Sequence, residues 1–561
     1  CCQAGNPPVA RFPRADPDVS RPERYPARMN ASCWIGLMLF AALAPQDEAG
    51  EVSTFWVDAT DTLLGQTGQW TNRVELADID GDGRVDVLFA NGGDYTEFGD
   101  PESSRVFLNR GAGQRFRERT DEILGDTPEA ARVIKARDLN GDGHVDIVIG
   151  NTFQTRSRLY LGRGNGAFEN VSATHLPEGV FSIGDIALGD VDGDGDLDMA
   201  LADWGPGTNM TNAGGRTQLW LNDGAAKFTN VTETQMPETL VQFSWDLDFV
   251  DVNNDMDLDL VVSCKMCNGS KLFLNDGKGT FQDGRGGLPP YTNNYELEPM
   301  DLDGDGWIDL VTVNDGQIVA GGGNAHRREH VFQNRRGRGF ADVSDAWWPA
   351  EHNLGHDDNM VKFLDHDSDG DADFLLASLS GPDRLLINDG EGHLTVATEV
   401  FDGPNTPGTL AMGIADLDGD HRMDVVQAQG EHPTAVSERI HLGLGLAPDT
   451  AAPHIGVPQI VADPAVEGGL IVRVRVHDSK SPSMPFDWKS VGLRWSKDEH
   501  VGMAEFAWFG EYLWSAHLPP VPEGTTFQIV AIDAAGNQAS NDAARLIPDP
   551  PRPERPNRRN R

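Results

Sequence analysis

The stretch DIDGDGRVD, Asp78–Asp86, sets four carboxylates into nine residues, with glycine at the fourth and sixth places. Charge packed this densely opposes folding unless a cation neutralises it. Oxygen donors at alternate positions on a glycine-bent loop suit Ca²⁺, which takes about six to eight oxygens. The candidate ligands are Asp78, Asp80, Asp82, the carbonyl of Arg84, and Asp86. Zinc prefers nitrogen and sulfur, and Mg²⁺ keeps a more hydrated octahedral shell.

The pattern recurs six times, with copies starting 50 to 64 residues apart. The second copy offers Asp138, Asn140, Asp142, the His144 carbonyl and Asp146; the third offers Asp190, Asp192, Asp194, Asp196 and Asp198. The fourth has Asp251, Asn253, Asp255, Asp257 and Asp259, and the fifth Asp301, Asp303, Asp305, the Trp307 carbonyl and Asp309. The sixth has Asp365, Asp367, Asp369, Asp371 and Asp373, and the seventh Asp416, Asp418, Asp420, the Arg422 carbonyl and Asp424. An EF-hand would need a bidentate Glu at the twelfth place and flanking helices. That place holds Phe89, Ile149, Leu201, Val262, Thr312, Leu376 and Gln427, so the EF-hand fails. The sixth place favours glycine for its sharp turn, but is Met256 in the fourth copy and His421 in the seventh. Up to seven Ca²⁺ ions are expected, with those two copies the weaker.

Each copy lies between an alternating run (RVELA, DIALG, YELEPM) and an apolar run (VDVLFA, VDIVIG, LDLVVS). A third run follows (RVFLN, RLYLG, QLWLN, KLFLN, RLLIN), then a Gly-rich turn and a fourth (FRERT, FENVS, FTNVT, FADVS). Four turn-bounded strands per repeat, seven times over, spell an all-β, seven-bladed β-propeller across residues 51–446. The last copy has a third strand, ERIHLGLGL, and no clear fourth. STFWVDAT (53–60) fits the fourth-strand pattern, so the N-terminal strand is expected to complete the seventh blade and remove an open edge. The seven copies hold 29 Asp, much of the formal net charge of −43. That charge disfavours nucleic acid or an acidic membrane surface as a partner.

SKLFLNDGKGTFQD (270–283) and DVDGDGDLDMALAD (190–203) resemble the VCBS/FG-GAP repeats, whose calcium-loop blades also build the integrin α head. The resemblance covers roughly residues 51–446. It implies a Ca²⁺-binding propeller, and it implies function only loosely: relatives serve in adhesion and surface recognition, and some are joined to lyases or hydrolases.

Residues 1–28 read as a disordered or over-extended leader, and residues 29–44 as a signal peptide with an apolar centre near Cys33–Leu43, so the protein is expected to be secreted, periplasmic or on the cell surface. No run of apolar residues is long enough to span a membrane. Beyond the signal peptide, Cys264 and Cys267 form a lone CKMC, either a local disulfide or two loop thiols. Residues 450–546 alternate like an immunoglobulin- or fibronectin-III-like sandwich. Residues 547–561 form a Pro/Arg tail.

Two long loops carry His326, His330, His352, His356, Asp357 and Asp358, either a transition-metal cluster or ordinary polar loops. First strands place Arg73, Glu75, Lys135, Asp185, Asp246, Asp248, Glu296, Glu298 and Lys362 along the channel, to pair with one another or to act on a sugar. Trp204, Trp245, Tyr291 and Tyr295 stack on a ligand or pack the loops. Neither G-x-S-x-G nor H-E-x-x-H occurs. The expectation is therefore a recognition protein binding an extracellular protein or glycan through the loops opposite the Ca²⁺ sites, with Ca²⁺ structural. The alternative is a polysaccharide lyase or metal-dependent hydrolase using the channel mouth or the histidine loops.

Overall fold

The computed structural model describes residues 54–93, 98–208, 212–284, 287–291, 293–318, 324–325, 327–403, 408–431, 436–542 and 544–545, all within one compact unit. The leader, signal peptide, His326 and C-terminal tail lie outside the described residues. With 5% helix and 44% strand, the chain is all-β. Among the described residues no helix is long and apolar enough to cross a membrane.

Among the described residues, seven four-stranded antiparallel sheets repeat one plan. In the first, Thr71–Ala77 pairs with Asp86–Asn91, which pairs with Arg105–Leu108, then Arg117–Glu118. The acidic nonapeptide is the turn between first and second strands, and its ninth residue opens the second strand. Second strands such as Asp86–Asn91 and Asp146–Asn151 are buried at every residue. A two-sided apolar strand needs cover on both faces, which neighbouring sheets supply. The first strands pack in sequence, from Thr71–Ala77 through Ala131–Arg137, Ile183–Gly189, Leu247–Val250, Asn294–Met300 and Asp358–Leu364 to Thr409–Ala415. That last strand packs back against Thr71–Ala77, closing a propeller-like ring.

The closure is made as the sequence pattern anticipates. Val57–Asp58 pairs with Arg439–Leu442, Val57 opposite Leu442 and Asp58 opposite His441. A second contact shows that this strand plays the fourth-strand part. In other sheets a Ser or Thr after the fourth strand accepts the amide of the third: Leu159 to Ser172 Oγ at 2.9 Å, Leu219 to Thr232 Oγ1 at 2.9 Å, Val331 to Ser344 Oγ at 2.9 Å. At the seam Ile440 donates to Thr60 Oγ1 at 3.0 Å. Each of these hydroxyl residues opens a one-turn helix, such as Ser172–His175, where the sequence reading has only the end of a strand. The Asn or Asp two residues earlier accepts the helix's first amide, as Asn170 does for Ser172 and Asp58 for Thr60.

Past the ring, two five-stranded sheets between His454 and Arg545 share one core of Val472, Val474, Leu493, Trp514, Ile529 and Ala531. This part lies across the acidic loops, a placement the sequence reading does not anticipate. Tyr512 donates to the carbonyl of Pro299 at 2.9 Å, the Ser481 hydroxyl accepts the amide of Phe363 at 3.1 Å, and Phe509 accepts the amide of Asp190 at 2.8 Å.

Candidate metal loops and the ring channel

Every acidic loop is wound around its first aspartate. Asp78 accepts the amides of Gly81, Asp82 and Gly83 at 2.8 to 3.0 Å, and Asp190 those of Gly193, Asp194 and Gly195. Position six is left-handed throughout, including Met256 at φ 62° and His421 at φ 63°, where a side chain costs about 1 kcal/mol or more.

The winding gathers the carboxylates. Single oxygens of Asp78, Asp80 and Asp86 lie within 4.8 Å of one another, as do those of Asp190, Asp192 and Asp194, of Asp301, Asp303 and Asp309, and of Asp365, Asp367 and Asp369. In the sixth loop His366 at position two meets Asp373, Nδ1 to Oδ2 at 2.6 Å, a nitrogen donor the sequence reading omits.

Position nine has a structural task of its own. Asp86 Oδ2 accepts the amide of Ile79 at 3.1 Å, and Oδ1 that of Asn109 at 2.7 Å, so one carboxylate joins the loop to the end of the third strand. The same double contact holds Asp146, Asp198, Asp309, Asp373 and Asp424. Burial, reinforced by the neighbouring carboxylates, pushes Asp86, Asp198, Asp309 and Asp424 up to about 8. Asp146, Asp190 and Asp301 rise to about 6 for the same reason.

The Asn that ends most third strands, quoted in RVFLN, QLWLN, KLFLN and RLLIN but given no role by the sequence reading, ties one sheet to the next. Asn109 Nδ2 reaches the carbonyl of Leu417 at 2.8 Å, Asn222 that of Leu139, Asn275 that of Val191, Asn334 that of Val252 and Asn388 that of Leu302. Each acceptor is position two of the preceding acidic loop, and the first sheet is thereby tied to the seventh.

All nine polar channel residues named from the sequence line one cavity of about 70 Å³. Lys362 Nζ lies 2.9 Å from Glu298 and 3.6 Å from Glu296, and Asp185 stands 3.8 Å from both Arg73 and Lys135. Burial pushes Asp246, Asp248 and Glu296 well above the usual carboxylate range. Lys480, Pro482, Met484 and Glu511 of the C-terminal part also line this cavity.

Among the described residues, which exclude His326, the side chains of the histidine loops have separate partners. His330 stacks on Tyr291 with ring centroids 3.8 Å apart, and burial lowers it to about 4. His352 Nδ1 faces the amide of Val396, Asp357 pairs with Arg327, and Asp358 pairs with Arg384, both side chains fully buried. Trp204, Trp245 and Tyr295 are at most 5% exposed and pack on one another, while Tyr291 donates to Asp342. They pack loops; aromatic bulk finds burial before it finds a ligand. Cys264 and Cys267 form a disulfide.

Residues 78–149, 138–201, 251–312 and 365–426 match the FG-GAP-like repeat. Among curated proteins, no significant match to the chain was found.

Proposed function

Because this chain is a member of the FG-GAP-like repeat family, we propose that it is an exported recognition or adhesion protein built as a seven-bladed, Ca²⁺-stabilised propeller over residues 51–446. Residues 450–546 form its immunoglobulin-like sandwich. Its ligand is an extracellular protein or glycan, bound by the loops opposite the acidic turns.

The observation that carries the recognition face is the placement of exposed apolar side chains. Phe98, Val180, Leu240, Met266 and Leu354 are 38% to 52% exposed, and all sit on the connections before first strands or between second and third strands, Leu240 on a short strand there. Those loops leave the ring at the end opposite the acidic turns, and the C-terminal part occupies the other end. Among the described residues, Leu444 at the seam and Val457, Val466, Val501 and Met503 of the C-terminal part are exposed too, but within the blades the exposed large apolar side chains share this one face, which suits a binding surface. The channel, at about 70 Å³, falls well short of the ~300 Å³ of a small-molecule site, which argues against the channel as the site of a hydrolase or lyase.

Four buried carboxylate oxygens support the cation: Asp80 Oδ1, Asp301 Oδ1, Asp371 Oδ1 and Asp418 Oδ1 have no hydrogen-bond donor. Hard oxygens left without donors in a shell of like charge fit Ca²⁺. The ligands are the aspartates and asparagines at positions one, three, five and nine, with position seven through its carbonyl or carboxylate. Bound there, Ca²⁺ would neutralise the repulsion and tie first to second strands; it takes no part in chemistry. The Cys264–Cys267 disulfide supports an oxidising, extracellular setting.

The test is a glycan-array and extracellular-protein binding screen in Ca²⁺, run beside a polysaccharide-degradation assay. Binding that F98D and L240D abolish while the melting curve is kept supports the reading. Binding that survives both substitutions, or unsaturated sugar products, overturns it.

A further inference from the structure

The fourth acidic loop differs from the others in what faces it. The C-terminal strand Leu470–His477, LIVRVRVH, turns Val472, Val474 and Val476 into its own core and Arg473 and Arg475 out of it. Arg475 Nη2 donates to the carbonyl of Asp251 at 3.0 Å and stands 3.5 Å from Asp251 Oδ2, the position-one carboxylate, whose side chain is fully buried. Its Nη1 donates to the carbonyl of Gly306, position six of the fifth loop, at 3.2 Å. Arg473 Nη1 lies 3.2 Å from Asp257 Oδ1, position seven. Gln459 donates to the carbonyl of Asp255 at 3.2 Å.

Within the loop, Asn253 at position three donates its amide to Asp259 Oδ2 at 2.9 Å, so a donor stands where the first, third, fifth, sixth and seventh loops place a carboxylate. Arginines also occur at the first, fifth and seventh loops, but there Arg84, Arg336 and Arg422 come from the same sheet as the loop, and position five is the only loop carboxylate each pairs with. At the fourth loop alone, among the described residues, guanidinium groups from another part of the fold reach positions one and seven together.

We propose that the fourth loop is a cation-free anchor, in which Arg473 and Arg475 take the place of Ca²⁺ and hold the C-terminal part on the ring. A planar guanidinium satisfies a carboxylate and nearby carbonyls at once, and its fixed charge repels a divalent ion from the same oxygens. This rests on the Ca²⁺ reading of the other loops. It goes beyond the sequence expectation of a weak fourth site, because the loop becomes an intramolecular interface that chelation does not release.

The experiment is calcium stoichiometry by equilibrium dialysis of the full chain, with D255N in the fourth loop and D305N in the fifth. The expected result is one ion fewer in D305N and an unchanged number in D255N. An ion lost from D255N overturns the proposal. Hydrogen exchange in EDTA provides a second readout that does not require Ca²⁺. R475Q, or the milder R473Q should R475Q fail to fold, should raise deuterium uptake across 251–259 and 470–477 at least threefold. Unchanged uptake overturns the anchor. A chain that binds no calcium but shows this increase keeps the anchor and removes the Ca²⁺ reading.

Discussion

Trp56→Ala tests whether the N-terminal strand closes the ring. The side chain is fully buried, stacks on Phe401 with centroids 5.2 Å apart, and donates Nε1 to the carbonyl of Met423 at 2.8 Å. It packs in the cluster that includes Met360, Leu375, Met412 and Val425, so it touches the sixth and seventh sheets together. Removing a buried tryptophan to alanine costs about 3–5 kcal/mol, and the orphaned Met423 carbonyl adds about 1 kcal/mol. If the ring unfolds as one unit of roughly 390 residues, its unfolding entropy is about 0.8 kcal/mol/K, and 4 kcal/mol lowers the midpoint by about 5 °C. Differential scanning calorimetry in Ca²⁺ reads both midpoint and enthalpy. A main transition that moves by less than about 1 °C, with only a small early transition added, would mean that residues 54–60 fray independently and the seam is not structural.

Glu438 sits on the same seam, 1% exposed, accepting the Thr71 hydroxyl of the first sheet. Burial raises it from the usual 4.5 to about 7. The folded chain therefore holds a proton that the unfolded chain releases. Glu438's contribution is fully present below pH 4.5 and declines as pH rises to about 7. E438Q should remove that decline, gaining about 3 kcal/mol on wild type between pH 4 and pH 8 in urea melts; parallel pH profiles would refute the buried acid. Asn334 satisfies the carbonyls of Val252 and Ile308, both at 2.9 Å. N334L should destabilise the ring by about 2–4 kcal/mol in urea unfolding, and a loss below 0.5 kcal/mol would deny the stitch between sheets.

Much of this was readable in the chain because the period is carried by residues that do local work. Asp78 and Gly83 make a turn whatever surrounds them, and the buried runs on either side have no alternative to stacking. The fourth-strand likeness of STFWVDAT was legible for the same reason: Asp58 and Thr60 repeat contacts made by Asn170 and Ser172. The nine channel residues followed from strand alternation alone. What escaped is what depends on distant partners. Asn109 looks like a turn residue until Leu417, 308 residues away, is seen beside it. His330 looks like a ligand until Tyr291 covers it. The C-terminal docking left a trace, the alternating arginines of LIVRVRVH, but nothing in that strand names the loop it meets.

Calcium itself is the most direct test. The account predicts that the chelated chain, titrated with CaCl₂ and read by atomic absorption after dialysis, takes up about six ions, one for each loop except the fourth. Each adds about 2.7 kcal/mol at a hundredfold excess over its dissociation constant, so the thermal midpoint climbs steeply with loading. A chain that retains no calcium at millimolar concentration, and melts at the same temperature in CaCl₂ and in EDTA, would contradict it.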